Sequence, residues 1–352
     1  MLHRLLFTFT ILSQLLLSMV ISTSIYAAQN ELVFLTWSEY IDPEIVQSFE
    51  EKYQAKIKLV YYETDDARDE LLIQTDGKGY DLILSDGTSI SRYKKQGWIQ
   101  TLPIKEIPNL KFINKKWQNM FKDSYQYAVP YFWGTTGIAY RKDLIGREIT
   151  SWKDLFQPTE SLRGKIAMIR SSRDAIGMAL KQLGFSVNSE SREEIKLAEA
   201  LLKAQKPYVR DYSYIVLDKT SALVKGDVHM AMAYSGDALV LQEHNENIEY
   251  VLPKEGGNIW IDYILVSNNS KNKKLAYRFL NFLNTPKIAK KNAEFVYYAT
   301  PNKAAKKLLD KDFLNNTVIY PSTNALSKSE IYTPLRPRSN RFRNQIFSNI
   351  AE

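Results

Sequence analysis

Residues 31–62, ELVFLTWSEYIDPEIVQSFEEKYQAKIKLVYY, carry the pattern that decides the fold. The apolar run at 32–35 is typical of a short buried strand. Apolar residues then recur at helical spacing over 43–53, starting from a proline that suits a first helical turn. Residues 56–62 alternate between apolar and polar side chains, as a strand does. The segment therefore predicts a strand, a helix and a second strand.

The same alternation continues along the chain. A helical segment at 66–75 and an apolar strand at 80–84 complete a βαβαβ unit, which predicts an α/β fold with a mostly parallel sheet and helices on both faces. Further strands are predicted at 166–169, 229–234 and 259–266, and further helices at 174–183, 193–204, 274–283 and 286–295. Because 352 residues exceed what one hydrophobic core usually supports, we expect two lobes.

The beginning of the chain differs from the rest. A short basic start is followed by an apolar run at 5–21 and then by the small residues Ala27 and Ala28. This layout is typical of a secretory signal peptide, and a retained membrane anchor is the alternative. We predict that residues 1–28 are a cleaved signal peptide and that the mature protein is exported to the periplasm.

The composition argues against several classes of protein. The chain has no Cys, so disulfides and thiolate metal sites are impossible. The formal net charge is +8, but Lys residues alternate with Asp and Glu as on a solvated surface, which argues against a nucleic-acid partner. His229 and His244 have no metal-binding spacing, and GxSxG, Walker A and GxGxxG motifs are absent from the sequence. The sequence predicts no enzyme, no cofactor and no metal site.

Polar and aromatic residues follow two of the predicted strands. The segments WSEY at 37–40 and DGTS at 86–89 come at the carboxyl ends of the first strand and of the strand at 80–84. Ligands of such sheets bind just beyond the carboxyl ends of the strands. We therefore expect the functional site at this edge.

Eight short segments stand out along the chain: LTWSEY at 35–40, YDL at 80–82, VPYFWGT at 129–135, TSWKDL at 150–155, MAMAYSGD at 230–237, PKEG at 253–256, WID at 260–262 and TPN at 300–302. In this order they resemble segments of bacterial polyamine-binding proteins for spermidine and putrescine. The chain departs from the family at Thr88 and Ser89, where aromatic residues are common. It also departs at Tyr234, which replaces a Trp, and at Ser171, which replaces an acid.

The resemblance implies a two-lobed type II periplasmic binding protein. Each lobe is then a mostly parallel sheet flanked by helices, and crossover strands at a hinge join the two lobes. The expected first lobe comprises 29–134 and 261–303, and the expected second lobe comprises 135–260 and 304–352. The resemblance also implies a monomer that delivers its ligand to the inner-membrane permease of an ABC importer.

A polyamine carries ammonium groups separated by methylene chains. Carboxylates bind the ammonium groups through charge-assisted hydrogen bonds, and aromatic faces contact both the cations and the methylenes. The residues expected to bind such a ligand are Trp37, Ser38, Glu39, Tyr40, Asp86, Asp174, Tyr234, Asp237, Trp260 and Asp262. For Asp174 and Asp237 the alternative is a helix cap, and for Asp86 it is a turn.

Other functions stay open at this point. The same fold could bind another cationic solute, such as an amino-acid derivative or an opine-like compound. It could bind iron through the tyrosine pairs Tyr61–Tyr62 and Tyr297–Tyr298. A module that kept the fold and lost transport would be a sensor.

Overall fold

The structure is a computed structural model that describes residues 30–352. The predicted signal peptide at 1–28 lies outside the described residues. Within 30–352, no helix is both long enough and apolar enough to cross a membrane.

Within residues 30–352, nine strands form one hydrogen-bonded arrangement. They are β1 (Glu31–Thr36), β2 (Lys56–Tyr61), β3 (Leu82–Asp86), β4 (Ala128–Arg141), β5 (Ile166–Met168), β6 (Val209–Tyr212), β7 (Met230–Tyr234), β8 (Ile248–Val251) and β9 (Ile259–Val266). Their order is β2-β1-β3-β9-β4-β7-β5-β6, and β8 pairs with β4. β1 is parallel to β2 and β3, and β5 is parallel to β6 and β7. Each half of the molecule therefore contains the predicted parallel group.

Helices connect and flank these strands. The α-helices of the described part are Pro43–Tyr53, Asp65–Gln74, Ile90–Lys95, Lys115–Gln118, Ser124–Tyr127, Lys142–Ile145, Trp152–Phe156, Ser172–Gln182, Arg192–Gln205, Ala222–Lys225, Ser235–His244, Lys273–Leu283, Pro286–Val296, Lys303–Lys306, Lys311–Asn315 and Pro337–Ala351. Short 3₁₀ helices occur at Ile104–Glu106, Pro108–Phe112, Glu160–Leu162 and Lys206–Tyr208. Each helix predicted from apolar periodicity lies within two residues of an observed helix, whereas Ser235–His244 and the 15-residue helix Pro337–Ala351 were not predicted.

Local capping chemistry determines where two of these helices begin. Asp42 caps Pro43–Tyr53 by accepting a backbone hydrogen bond at 2.8 Å, and the proline occupies the first turn. Ser171 caps Ser172–Gln182 in the same way, because its hydroxyl accepts the backbone N–H of Asp174 at 3.2 Å. Ser171 is therefore the N-cap, and the Asp174 carboxylate is free to make other contacts.

Strand β4 connects the two halves. Its residues 128–135 pair with β9, whereas its residues 136–141 pair with β7 and β8. All 14 residues of the strand are buried. The sequence predicts a lobe boundary after residue 134. We propose that the boundary lies here, where β4 changes its pairing partner from β9 to β7 and β8.

Buried apolar side chains form two groups of clusters. The first group contains residues of β1, β3 and β9, and the second contains residues of β5, β7 and β8. Ile319 packs in the first group, although 304–352 was expected in the second lobe. Tyr332 and residues of the helix Pro337–Ala351 pack in the second group. We therefore propose that the chain makes its last crossing near residues 331–332.

Candidate functional site

A cavity lies at the carboxyl ends of β1, β3 and β7 and at the start of β9. Its empty volume is about 750 Å³. Aromatic and carboxylate side chains dominate its wall. The lining residues include Trp37, Tyr40, Asp65, Asp86, Thr88, Arg173, Asp174, Tyr214, Tyr234, Asp237, Asn258, Trp260, Asp262, Tyr298 and Tyr332. The structure thus brings together all of the predicted ligand-binding residues except Ser38 and Glu39.

Asp262 lies on β9, directly opposite Asp86 on β3. The hydroxyl of Tyr40 donates a hydrogen bond to its Oδ2 at 2.9 Å. Burial raises the pKa of Asp262 to about 7, and the nearby Asp65 carboxylate adds to this rise. A bound cation would therefore stabilise the charged form of Asp262.

Asp237 occupies the first turn of the helix Ser235–His244 and is 4% exposed. Its carboxylate accepts hydrogen bonds from the hydroxyls of Tyr298 at 2.6 Å and Tyr214 at 2.9 Å. Burial raises the pKa of Asp237 to about 6, although these two hydrogen bonds lower it. The side chain does not act as the N-cap, since Tyr234 holds that position without a side-chain cap bond.

Asp174 has a similar environment. Its Oδ1 accepts a hydrogen bond from the Tyr332 hydroxyl at 3.1 Å, and its Oδ2 accepts one from the Tyr234 hydroxyl at 3.3 Å. Like Asp237 and Asp262, it therefore faces phenol groups. Hydrogen bonds from tyrosine orient a carboxylate without cancelling its charge.

Asp86 is held differently. Nη2 of Arg68 and Nη1 of Arg173 each lie 3.2 Å from its carboxylate oxygens. It also accepts the Ser89 hydroxyl at 2.8 Å and the backbone N–H of Thr88 at 2.8 Å, which is the turn contact considered from the sequence. Although burial acts against ionisation, the Arg173 and Arg68 guanidinium groups hold the pKa of Asp86 well below its usual range.

Aromatic rings form the remaining walls. Trp37 and Tyr214 stack with their centroids 6.0 Å apart and their planes 24° apart. Trp260 meets Tyr298 edge-on at 4.7 Å and Tyr234 at 5.9 Å. These rings supply apolar faces close to Asp174, Asp237 and Asp262, the three carboxylates that accept hydrogen bonds from tyrosine hydroxyls.

Gly134 on β4 makes room for Trp260. A Cβ atom at Gly134 would lie 2.5 Å from Cζ2 of Trp260 and 2.8 Å from Oγ of Ser235. Gly134 is thus needed for the position of a ring that lies on another strand.

Ser38 and Glu39 are exposed, and they line a neighbouring cavity. This second cavity shares Asp237 and Tyr298 with the main one. The two residues therefore lie beside the site rather than in its main cavity.

The tyrosine pairs considered for iron do not converge. Tyr62 donates to the Leu84 carbonyl at 3.0 Å, while Tyr61 is 53% exposed. Tyr298 donates to Asp237, whereas Tyr297 donates to Glu243. Within the described residues, no group of three or more His, Cys, Asp or Glu side chains is placed to hold a metal ion.

Sequence reasoning missed several residues of the cavity. Tyr214 and Tyr332 lie in segments without a helix or strand, where no periodic pattern marks them. Asn258 directly precedes β9 and is 2% exposed, and its Oδ1 has no hydrogen-bond partner among the described residues. Asn258 lies two residues before Trp260, and this closeness in sequence could have marked it as a residue of the site. Arg173 could have been noticed in the same way, as the neighbour of Asp174.

Comparisons with known proteins agree with the motifs. Residues 44–319 match the family described as bacterial extracellular solute-binding protein. The spermidine/putrescine-binding periplasmic protein of Salmonella typhimurium is 32% identical over 308 residues, which are 87% of this chain and 87% of the relative. The norspermidine sensor of Vibrio cholerae is 29% identical over 336 residues, which are 95% of this chain and 92% of the relative.

Solved structures extend the similarity to the fold. A putative spermidine/putrescine ABC transporter protein from Listeria monocytogenes is 31% identical, with a TM-score of 0.84 over 91% of this chain and 98% of that one. A spermidine/putrescine substrate-binding protein from Streptococcus pneumoniae is 26% identical, with a TM-score of 0.77 and the same coverage. The predicted two-lobed fold is confirmed. The chain belongs to the family of bacterial extracellular solute-binding proteins.

Proposed function

We propose that this protein captures a polyamine in the cavity between its two halves and delivers it to an ABC importer. The observation that carries the proposal is the environment of Asp262 and Asp237. Asp237 accepts hydrogen bonds from two tyrosine hydroxyls and Asp262 from one, and among the described residues neither carboxylate forms an ion pair with Lys or Arg. A buried carboxylate is costly unless it is paired with a cation. The ammonium groups of a polyamine supply that cation.

The aromatic walls suit the rest of such a ligand. Trp37, Trp260 and the neighbouring tyrosines offer flat apolar faces to methylene chains. A cation over an aromatic face gains roughly 0.5–2 kcal/mol. Hydrogen bonds to charged groups add about 1.5–3 kcal/mol each. Together, these contacts favour a long, flexible cation over a compact one.

The transport role is supported by the names of the relatives. The Salmonella relative is named as a periplasmic protein, and the Listeria neighbour as part of an ABC transporter. By analogy, we place this protein in the periplasm, exported by residues 1–28, as a monomer that docks on an inner-membrane permease. Capture and delivery require no chemical step, so the role is binding rather than catalysis.

A second candidate function is polyamine sensing. The Vibrio relative, which matches nearly the whole chain, is named as a norspermidine sensor. Sensing would use the same cavity with a different membrane partner. Uptake of labelled polyamine by cells lacking this protein distinguishes the two: uptake falls for a transport protein and is unchanged for a sensor.

The polyamine proposal is tested by calorimetry and thermal denaturation of the purified protein. Putrescine, spermidine and norspermidine are compared with arginine and lysine. A ligand that binds only the folded state raises the melting temperature, and we expect this for a polyamine. A rise with arginine or lysine alone would replace the proposal with an amino-acid ligand, and a rise with none of the five would contradict it.

A further inference from the structure

Arg173 carries a positive charge across the cavity. It belongs to the helix Ser172–Gln182 in the second half, but its guanidinium contacts the first half. Nη1 donates to Oδ1 of Asp86 at 3.2 Å and to Oγ1 of Thr88 at 2.9 Å. Nη2 donates to Oδ2 of Asp65 at 3.1 Å. The ring of Tyr332 lies 5.4 Å from the guanidinium carbon and supports it.

Two carboxylates of the cavity wall, Asp65 and Asp86, already form ion pairs with arginine side chains. Arg68, which is fully buried, also contacts both Asp65 and Asp86. Two guanidinium groups therefore face two carboxylates. The other acids of the cavity, Asp174, Asp237 and Asp262, accept hydrogen bonds from tyrosine hydroxyls but form no ion pair with Lys or Arg among the described residues.

We infer that Arg173 is a specificity-determining residue: its guanidinium occupies one cation position of the cavity and so restricts the site to polyamines of lower charge. The inference rests on the proposed function. A ligand ammonium reaching Asp65 or Asp86 would have to displace a planar group that forms several directed hydrogen bonds, which a single ammonium cannot reproduce. A longer, more highly charged polyamine would also be repelled by the guanidinium. The preference should therefore favour diamines and triamines over tetraamines.

The test is the effect of Arg173→Gln on ligand preference. Dissociation constants for putrescine, spermidine and spermine are measured by calorimetry at one ionic strength. Removing the Arg173 guanidinium frees Oδ2 of Asp65 and Oδ1 of Asp86 for a ligand ammonium, while Arg68 keeps its contacts with the other oxygen of each carboxylate. Spermine should therefore gain affinity relative to putrescine by about tenfold or more, which corresponds to roughly 1.4 kcal/mol. Arg173→Lys keeps a positive charge there and should retain most of the wild-type preference.

Arg170→Gln is the matched control. Arg170 is exposed, lies three residues away and forms no ion pair within the described residues. The substitution Arg170→Gln removes the same charge, and the ratio of the dissociation constants for spermine and putrescine should stay at the wild-type value. If Arg173→Gln does not fold, Arg173→Met, which keeps the long stem against Tyr332, provides the same measurement.

The outcomes separate this inference from the proposed function. An unchanged ratio in Arg173→Gln, or an equal loss of affinity for all three amines, would overturn the specificity role and leave polyamine binding intact. A shift of the same size in Arg170→Gln would overturn it as well, since the effect would then come from net charge alone. A wild-type protein that binds none of the three amines would refute the proposed function itself.

Discussion

Asp86 and Asp262 lie opposite each other on adjacent antiparallel strands, and their carboxyl groups are stabilised in different ways. Opposed residues of such strands have Cβ atoms roughly 4.5–5.5 Å apart, so two negative charges there repel. Arg68 and Arg173 compensate Asp86, whereas Asp262 accepts a hydrogen bond from Tyr40. The uncompensated charge is therefore concentrated on Asp262, where we propose that an ammonium group binds.

Asp262→Asn should weaken polyamine binding strongly. Removing one partner of a buried charge pair costs about 2–5 kcal/mol, so affinity should fall by roughly 30-fold or more. Calorimetry with spermidine measures this loss. Asp66→Asn is the control, because Asp66 is an exposed carboxylate near the same cleft. Wild-type affinity in Asp262→Asn would contradict the ionic contact.

Binding should depend on pH in a defined direction. Burial raises the pKa of Asp262 to about 7 and that of Asp237 to about 6, while aliphatic ammonium groups stay protonated over this range. As pH falls from 8 to 5, these carboxyl groups become neutral and affinity for a polyamine should drop, by on the order of 100-fold if Asp262 alone must ionise. Asp262→Asn should flatten this profile. A wild-type affinity that is constant between pH 5 and 8 would argue against both assignments.

The stability of the ligand-free protein should depend on pH in the opposite direction. The pKa of Asp262 is about 7 in the folded state, above the ordinary value near 3.9 of an unfolded chain, so the folded state binds more protons between these values. The contribution of this group to the free energy of unfolding is therefore lost as pH rises through 7. Urea unfolding of wild type and Asp262→Asn at pH 5 and pH 8 measures it. The rise of about three pKa units corresponds to about 4 kcal/mol, so the variant should gain up to about 4 kcal/mol relative to wild type at pH 8, and less at pH 5.

Tyr298→Phe tests the hydroxyl that orients Asp237. The substitution keeps the ring against Trp260 and removes a 2.6 Å hydrogen bond that lowers the pKa of Asp237. Affinity should fall by about tenfold, consistent with about 1.5 kcal/mol for a hydrogen bond to a charged group, and the pH midpoint of binding should rise. Tyr297→Phe is the matched control, since that hydroxyl contacts Glu243 instead. Equal effects of the two variants would exclude a specific role of Tyr298.

Local sequence patterns predicted the elements and part of the site. Apolar periodicity and the proline at 43 placed the helix Pro43–Tyr53, because both act within a few residues. The strand expected at 80–84 lies at Leu82–Asp86, so Asp86 is the last residue of the strand, and its carboxylate accepts the backbone N–H of Thr88 in the turn that follows. Trp260 and Asp262 were recognised from the segment WID at 260–262, which resembles the polyamine-binding family. The expectation that ligands bind beyond strand ends needs only the order of strands along the chain.

The tertiary structure alone decided which of these carboxyl groups are compensated. Asp262 meets Tyr40, 222 residues away, and Asp86 meets Arg173, 87 residues away. The same packing places Tyr332 on Asp174 and brings Ile319 into the first half. Charge compensation and burial depend on distances of a few ångströms between side chains from distant segments, and these distances are set only when the two halves pack. The sequence by itself therefore determined where the acids and rings of the site lie along the strands, and the packing of the halves decided which acids remain for a ligand.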